Sequence, residues 1–171
     1  MKEIALSQGK VAIVDDEDYE ALSSFRWCAQ RGGNTFYAKR HVTRHGGGQT
    51  TVKMHRLVLE RKLGRTLAKG EHTDHINGDG LDNQSENLRV ATKAQNAHNR
   101  LRRKANPSSQ YLGVSWIKRD SKWHAQITVN GKGINLGYYS TELAAAQARE
   151  AFIAAHPELY ARTNFQFGEP A

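Results

Sequence analysis

The sequence predicts an α+β fold in three segments, and three observations carry that expectation. Residues 1–53 hold short runs of β-forming residues broken by glycine-rich turns. Residues 54–104 pass from a helical period through an acidic loop, set between two short extended runs, into a second helix. Residues 111–171 begin with alternating runs joined by Asn130 and Gly131 and continue into an alanine-rich helix. Short strands interleaved with short helices give small antiparallel sheets with helices packed against them. Residues 105–110, with Asn106, Pro107, Ser108 and Ser109, read as a linker.

Composition narrows the function. The 171 residues carry 25 Lys plus Arg against 17 Asp plus Glu, a net charge of +8, with a pI near 9.7 and a mean hydropathy of -0.71. A basic chain of this kind favours a polyanionic partner. At 38% hydrophobic residues it can bury one modest core or two small ones. The single cysteine, Cys28, excludes an internal disulfide and a zinc ribbon. A reduced, cytoplasmic protein is expected. No run of about 18 apolar residues occurs, so no membrane span is expected.

In the first segment Val11–Val14, Phe25–Ala29, Thr35–His41 and Thr50–Lys53 read as strands of one small antiparallel sheet, with turns at Arg31–Asn34 and His45–Gly48. Asp15, Asp16, Glu17 and Asp18 precede Tyr19, Leu22 and Phe25 at helical spacing, so these acids are expected at the positive end of a short helix rather than around a metal. In the second segment Met54, Leu57, Val58 and Arg61 follow a helical period over Met54–Leu63, and His55 lies on that helix. The span from Glu71 to Asn87 holds five acids and no Lys or Arg, a local charge inversion that suits a cation. Leu88–Ala91 reads as a strand. Thr92 to Gln95 has the Thr-x-x-Gln form of a capping box, opening a helix expected to run to Lys104.

Asp74-His75, Asn87 twelve residues after His75 and Asn96 nine further on resemble the His-Asn-His (HNH) nuclease motif in its Asp-His…Asn…Asn form. The resemblance extends through Met54–Arg56, Asp74–Gly78, Leu81–Asn83, Glu86–Arg89 and Ala91–Thr92, as in phage-type homing endonucleases, and implies a ββα-metal nuclease core. Phosphodiester hydrolysis needs an activated water, charge neutralisation on the phosphate and a stabilised leaving oxygen. His75, an imidazole that titrates near neutrality, suits the base. Asp74 and Asn96 offer the hard oxygens that suit Mg²⁺, with Mn²⁺ as the other candidate. By the same carry-over Asn87 braces the hairpin that holds His75.

Competing assignments are weaker. An EF-hand loop begun at Asp74 would require an oxygen ligand where Ile76 stands. A zinc site from His72 and His75 lacks two further ligands. His55 reads as a packing or phosphate-contact residue, and His98 as a substitute metal ligand. Neighbours on a strand point to opposite faces, so Asp74 and His75 share one site only if the chain departs from ideal strand geometry.

In the third segment Tyr111–Trp116, Lys122–Val129 and Gly133–Tyr139 form a meander. Trp123, Ala125, Ile127 and Val129 share one face, and His124, Gln126 and Thr128 the other. The helix Thr141–Ala155 is expected to present Leu143, Ala144, Ala148, Ala151 and Phe152 to the apolar face. Gly113–Trp116, Lys122-Trp123, Ala125–Ile127, Leu136-Gly137 and the alanine-rich helix resemble the plant APETALA/ethylene-response DNA-binding domain, which implies a sheet laid in the major groove. Ser115, Ile117, Gln126, Thr128 and Asn135 would then face bases. Lys118, Arg119, Lys122 and Lys132, with Arg100, Arg102, Arg103 and Lys104, would contact phosphates. The expectation is a Mg²⁺-dependent endonuclease that nicks double-stranded DNA as a monomer, with no protein partner, in the host cytoplasm if phage-encoded. The alternative is a non-catalytic DNA-binding regulator that retains the nuclease scaffold.

Overall fold

The computed structural model describes residues 1–99 and 108–165. The chain divides into two compact units, Met1–Asn96 and Ala97–Ala171, each an assembly of helices and small antiparallel sheets. The division falls inside a helix, and part of the linker expected at 105–110 lies outside the described residues, as do Arg100, Arg102, Arg103 and Lys104.

The first unit opens with strand β1 (Lys2–Ala5), paired antiparallel with β2 (Val11–Val14). Helix α1 (Asp16–Ser23) follows, with Asp16, Glu17 and Asp18 in its first turn. Two acids of that run do more than complement the helix end. Asp15 accepts the Ser85 amide at 2.7 Å, and Asp18 accepts Arg61 Nη1 at 2.7 Å. Strands β3 (Cys28–Gly32), β4 (Thr35–Thr43) and β5 (Gln49–Lys53) form a second sheet in that order. The single sheet expected over residues 1–53 is therefore two sheets. β1 was not foreseen, because its four residues bury only Ile4 and show no alternation. Phe25 stands outside any strand, 43% exposed, beneath the Arg40 guanidinium at 3.7 Å.

β5 runs without a loop into α2 (Met54–Leu63). That direct passage draws the first helical residues inward, so the buried stripe is Met54, His55, Val58 and Leu59. The expected stripe through Leu57 and Arg61 is displaced by one residue, which puts His55 inside. Strands β6 (His72–His75) and β7 (Leu88–Ala91) make an antiparallel hairpin, and α3 (Lys93–His98) follows. The capping box at its start is closed: the Thr92 amide donates to Gln95 Oε1 at 2.7 Å, and the Gln95 amide to Thr92 Oγ1 at 3.3 Å. Val14, Trp27, Met54, Val58, Leu59 and Leu88 centre the core. Each large apolar side chain of this kind contributes roughly 1.5 to 3 kcal/mol by leaving water.

The second unit is a meander of β8 (Val114–Ile117), β9 (Lys122–Val129) and β10 (Lys132–Tyr139), order β10-β9-β8, covered by α4 (Glu142–Ala155). Thr141 Oγ1 caps α4 by accepting the Ala144 amide at 3.1 Å. The helix buries Ala145, Ala146, Arg149 and Ile153, not the expected face; Leu143 is exposed and Phe152 sits at 4.3 Å from the His156 ring. Small side chains decide this orientation, because two adjacent alanines let the helix backbone approach the sheet closely. Among the described residues no helix is long and apolar enough to cross a membrane.

Candidate active site

The hairpin β6–β7 holds Asp74 opposite Arg89 and His75 opposite Leu88, in regular register. Neighbours on a regular strand face apart, and the contacts follow. Asp74, 3% exposed, takes Arg89 Nε at 2.9 Å and Nη2 at 2.8 Å on Oδ2. His75, 6% exposed, meets the His55 ring edge-to-face at 5.0 Å and the Tyr37 ring at 5.8 Å. The two residues are buried neighbours with separate partners. Asn96 reaches the same strand from α3, its Nδ2 donating to the Thr73 carbonyl at 3.3 Å, one residue before Asp74.

Burial is the main influence on His75 and lowers its pKa; a hydrogen bond with Asn83 and the carboxylates of Asp74, Asp79 and Asp82 oppose it. The imidazole is therefore held in its neutral form at neutral pH. His55 is driven further, to about 3, by burial first and then by His75, Lys53 and Arg56. Its Nδ1 has no partner among the described residues. Tyr37 completes this cluster, with its ring 5.5 Å from that of His55. Gly80 makes room for it: a Cβ there would lie 2.6 Å from Tyr37 Cε1, and one at Gly32 would lie 2.6 Å from Cε2. A cavity of about 510 Å³ opens beside Tyr37, His55, Thr73 and Asn96.

Among the described residues the acidic span from Glu71 to Asn87 does not gather three or more of its acids around one point. Asp79 accepts the Leu81 amide at 2.9 Å, Asp82 accepts Asn77 Nδ2 at 2.8 Å, and Glu71 pairs with Arg65. Most of these carboxylates make turns, as short acidic side chains do. Asn87 ties the loop shut. Its Oδ1 accepts the Asn77 amide at 3.0 Å, its Nδ2 donates to the Asp82 carbonyl at 2.8 Å, and its carbonyl accepts the Ile76 amide at 2.9 Å. These bonds fix the chain immediately after His75.

Reading the sequence alone missed Arg89 and Tyr37, and ranked His55 outside the site. Register would have revealed Arg89, since it sits directly across from Asp74. Nothing local marks Tyr37. His98 hydrogen-bonds the Leu159 carbonyl through Nδ1 at 3.2 Å, within the second unit.

In the second unit the pairing register sets Ser115, Lys122, His124, Gln126, Thr128, Asn135 and Tyr138 on the sheet face opposite Ala125 and Ile127. Lys118 and Arg119 stand in the β8–β9 turn, Arg119 paired with Asp120 at 2.7 Å. Lys122 and Lys132 are exposed at strand ends. Asn135 Oδ1 is engaged by the Gly137 amide at 2.9 Å and lies 3.2 Å from His124 Nε2. The His124 ring stacks on Tyr138 at 4.8 Å, an aromatic pair that was not anticipated.

Residues 52–98 match the family model described as HNH endonuclease. It is 36% identical over 69 residues to "Protein 3.8" of Escherichia phage T7, covering 40% of this chain and 56% of that protein. The chain thus spans little more than half the length of that relative. It is 25% identical over 140 residues to "Uncharacterized HNH endonuclease L560" of Acanthamoeba polyphaga mimivirus, covering 82% of this chain and 67% of that protein. No solved structure matches it.

Proposed function

We propose that the chain is a metal-dependent endonuclease that nicks double-stranded DNA, with His75 as general base. One observation carries the reading: within the segment that matches the HNH family, the Asp74-His75 strand is buried, and Asn96 is bonded to that strand one residue before Asp74. The donor chemistry suits a hard divalent ion. Asp74 brings a carboxylate, and Asn96, with its nitrogen committed to Thr73, brings Oδ1. Asp74 and Asn96 would hold Mg²⁺ or Mn²⁺, which supplies positive charge for the phosphate and the leaving oxygen.

The chain's own residues supply the remaining steps. His75 is kept neutral by burial and so can accept the proton of an attacking water at Nε2 or Nδ1. Asn87 and the loop it closes hold the His75 backbone, while His55 and Tyr37 wall its ring. Arg89 fixes the Asp74 carboxylate through Oδ2. The sheet face of the second unit would position the duplex through Gln126, Thr128 and Ser115, with Lys118, Arg119, Lys122 and Lys132 on phosphates. The scaffold reading, a DNA binder without catalysis, draws on the Asp74–Arg89 ion pair, since an acid so engaged is a weaker metal ligand, and on the regular register that turns Asp74 and His75 to opposite faces of β6.

Incubation with supercoiled plasmid decides between them. Nicking in Mg²⁺ or Mn²⁺, abolished by chelator and reduced about 10² to 10⁴-fold in His75→Ala, is the expected result. Nicking that persists in the variant or in chelator overturns the assigned chemistry. An intact plasmid with the wild-type chain in either metal leaves the scaffold reading.

A further inference from the structure

Apart from Tyr37, the N-terminal sheet has no role in the reading above, yet its charge pattern is unlike the rest of its unit. Between Glu20 and Glu60 there is no Asp or Glu, while Arg26, Arg31, Lys39, Arg40, Arg44, Lys53 and Arg56 fall in the same 39 residues. With 17 acids in 171 residues, composition alone would place about four there. An ordinary solvated surface has no need to exclude one sign of charge, and mixed signs are the norm.

Of these basic residues the register puts Lys39 and Lys53 on one face of the sheet, and Arg31 and Arg40 on the other. Cys28 pairs with Lys39 and Lys39 with Lys53; Gln30 pairs with Tyr37, and His41 with Thr51. Side chains alternate along a strand, so these residues share one face, and Ala29 and Ala38, both buried, belong to the other. The outer face is polar and cationic. Neither Lys39 nor Lys53 is in an ion pair among the described residues.

This face is continuous with the candidate active site. Tyr37 belongs to it and packs against both His55 and His75, and Thr51 and Lys53 line the cavity beside Asn96. Glu60 and Glu71, which line that cavity, are paired with Arg56 and Arg65, and Asp79 accepts a hydrogen bond from Thr35 Oγ1 at 3.3 Å without an ion pair among the described residues.

We infer that the outer face of the β3–β4–β5 sheet binds the sugar-phosphate backbone of duplex DNA and leads the strand to His75. The inference rests on the nuclease reading for its choice of partner. Phosphate contacts position a duplex without reading its sequence, and an acid-free sheet face ending at a hydrolytic centre provides such a track.

The test uses the full chain and a labelled DNA duplex in chelator, so that binding is measured without cleavage. Lys39→Glu combined with Gln30→Glu should raise Kd on the order of tenfold and flatten the dependence of log affinity on log salt by about one or more between roughly 50 and 200 mM. Lys69→Glu, on a loop of the same unit, should leave both within about twofold. Lys39→Gln alone, which spares the fold, should still lower the slope by about one. Sheet variants with wild-type Kd and slope, losses matched by Lys69→Glu, or a deficit confined to duplex RNA each overturn the inference. Because no cleavage is read, a plasmid left intact in the nicking assay refutes the nuclease reading while weakened binding by these variants still upholds the track.

Discussion

The two units solve the problem of a small core in different ways. The first buries Met54, Leu59, Leu88, Val14 and Val58 to below 2 or 3% exposure, and among them it also buries Asp18, His55, Asp74 and His75. The second centres on Val114, Ala125, Ala145 and Ala146, with Arg149 as its buried charge. Large aliphatic side chains give the first unit enough transfer free energy to hold costly polar groups out of water, which a chemical site requires. Alanines give the second unit close helix-sheet contact and leave a polar face outside. The difference teaches where reactivity can reside: in the unit whose core tolerates buried imidazoles, with the other suited to surface recognition.

The hardest blow to that contrast is Met54→Ala, which empties a fully buried site at the junction of β5 and α2. A loss of about 2 to 5 kcal/mol is expected, read as faster amide exchange across β6 and β7 with the second unit's amides unchanged. Uniform loss of protection through both units would break the distinction.

A somewhat smaller effect is expected from Gly113→Ala. Gly113 has φ +71°, and a Cβ there would collide with the Gln126 backbone carbonyl oxygen and meet Arg149 Nε at 2.8 Å. Strain and the displaced guanidinium should cost about 1 to 3 kcal/mol, confined to amides of β8 to β10. Exchange that stays at the wild-type rate would show that the close packing around Gly113 contributes little to the second unit.

The gentlest test is pH. The unfolded His55 imidazole protonates near 6.5, whereas the folded one resists until about 3. Above 6.5 both states are neutral and the stability is fully present. As pH falls from 6.5 towards 3 the unfolded chain takes up a proton that the folded chain refuses. Stability should therefore drop by on the order of 1 kcal/mol per pH unit from this group. Urea midpoints for His55→Leu should fall less steeply over that window than those of the wild type; parallel curves would mean the ring is not held neutral.

Much of this architecture was legible in the residues. The Met54–Leu63 helix, the strands flanking the acidic loop, the Thr92–Gln95 box and the Asn130-Gly131 meander all follow from periods and turn chemistry that act within a few residues. What failed was rotation and partnership. The α2 stripe turned towards His55 because β5 enters it without a loop, and α4 turned towards Ala145 and Ala146 because close approach outweighed larger apolar area. The acidic span suited a cation by its charge alone, yet most of its carboxylates make turns or pair with arginine, a choice set by the hydrogen bonds available once the loop closes.

Sequence by itself determined the element types, the basic balance and the spacing of Asp74, His75, Asn87 and Asn96, because these depend on local geometry and on composition. Only the tertiary structure decided that Arg89 holds Asp74, that Tyr37 and His55 wall His75, and that an acid-free sheet face ends at that cluster. Those pairings join residues up to 38 positions apart, such as Tyr37 and His75, and contacts at that distance along the chain are settled by register and core packing rather than by any neighbouring residue.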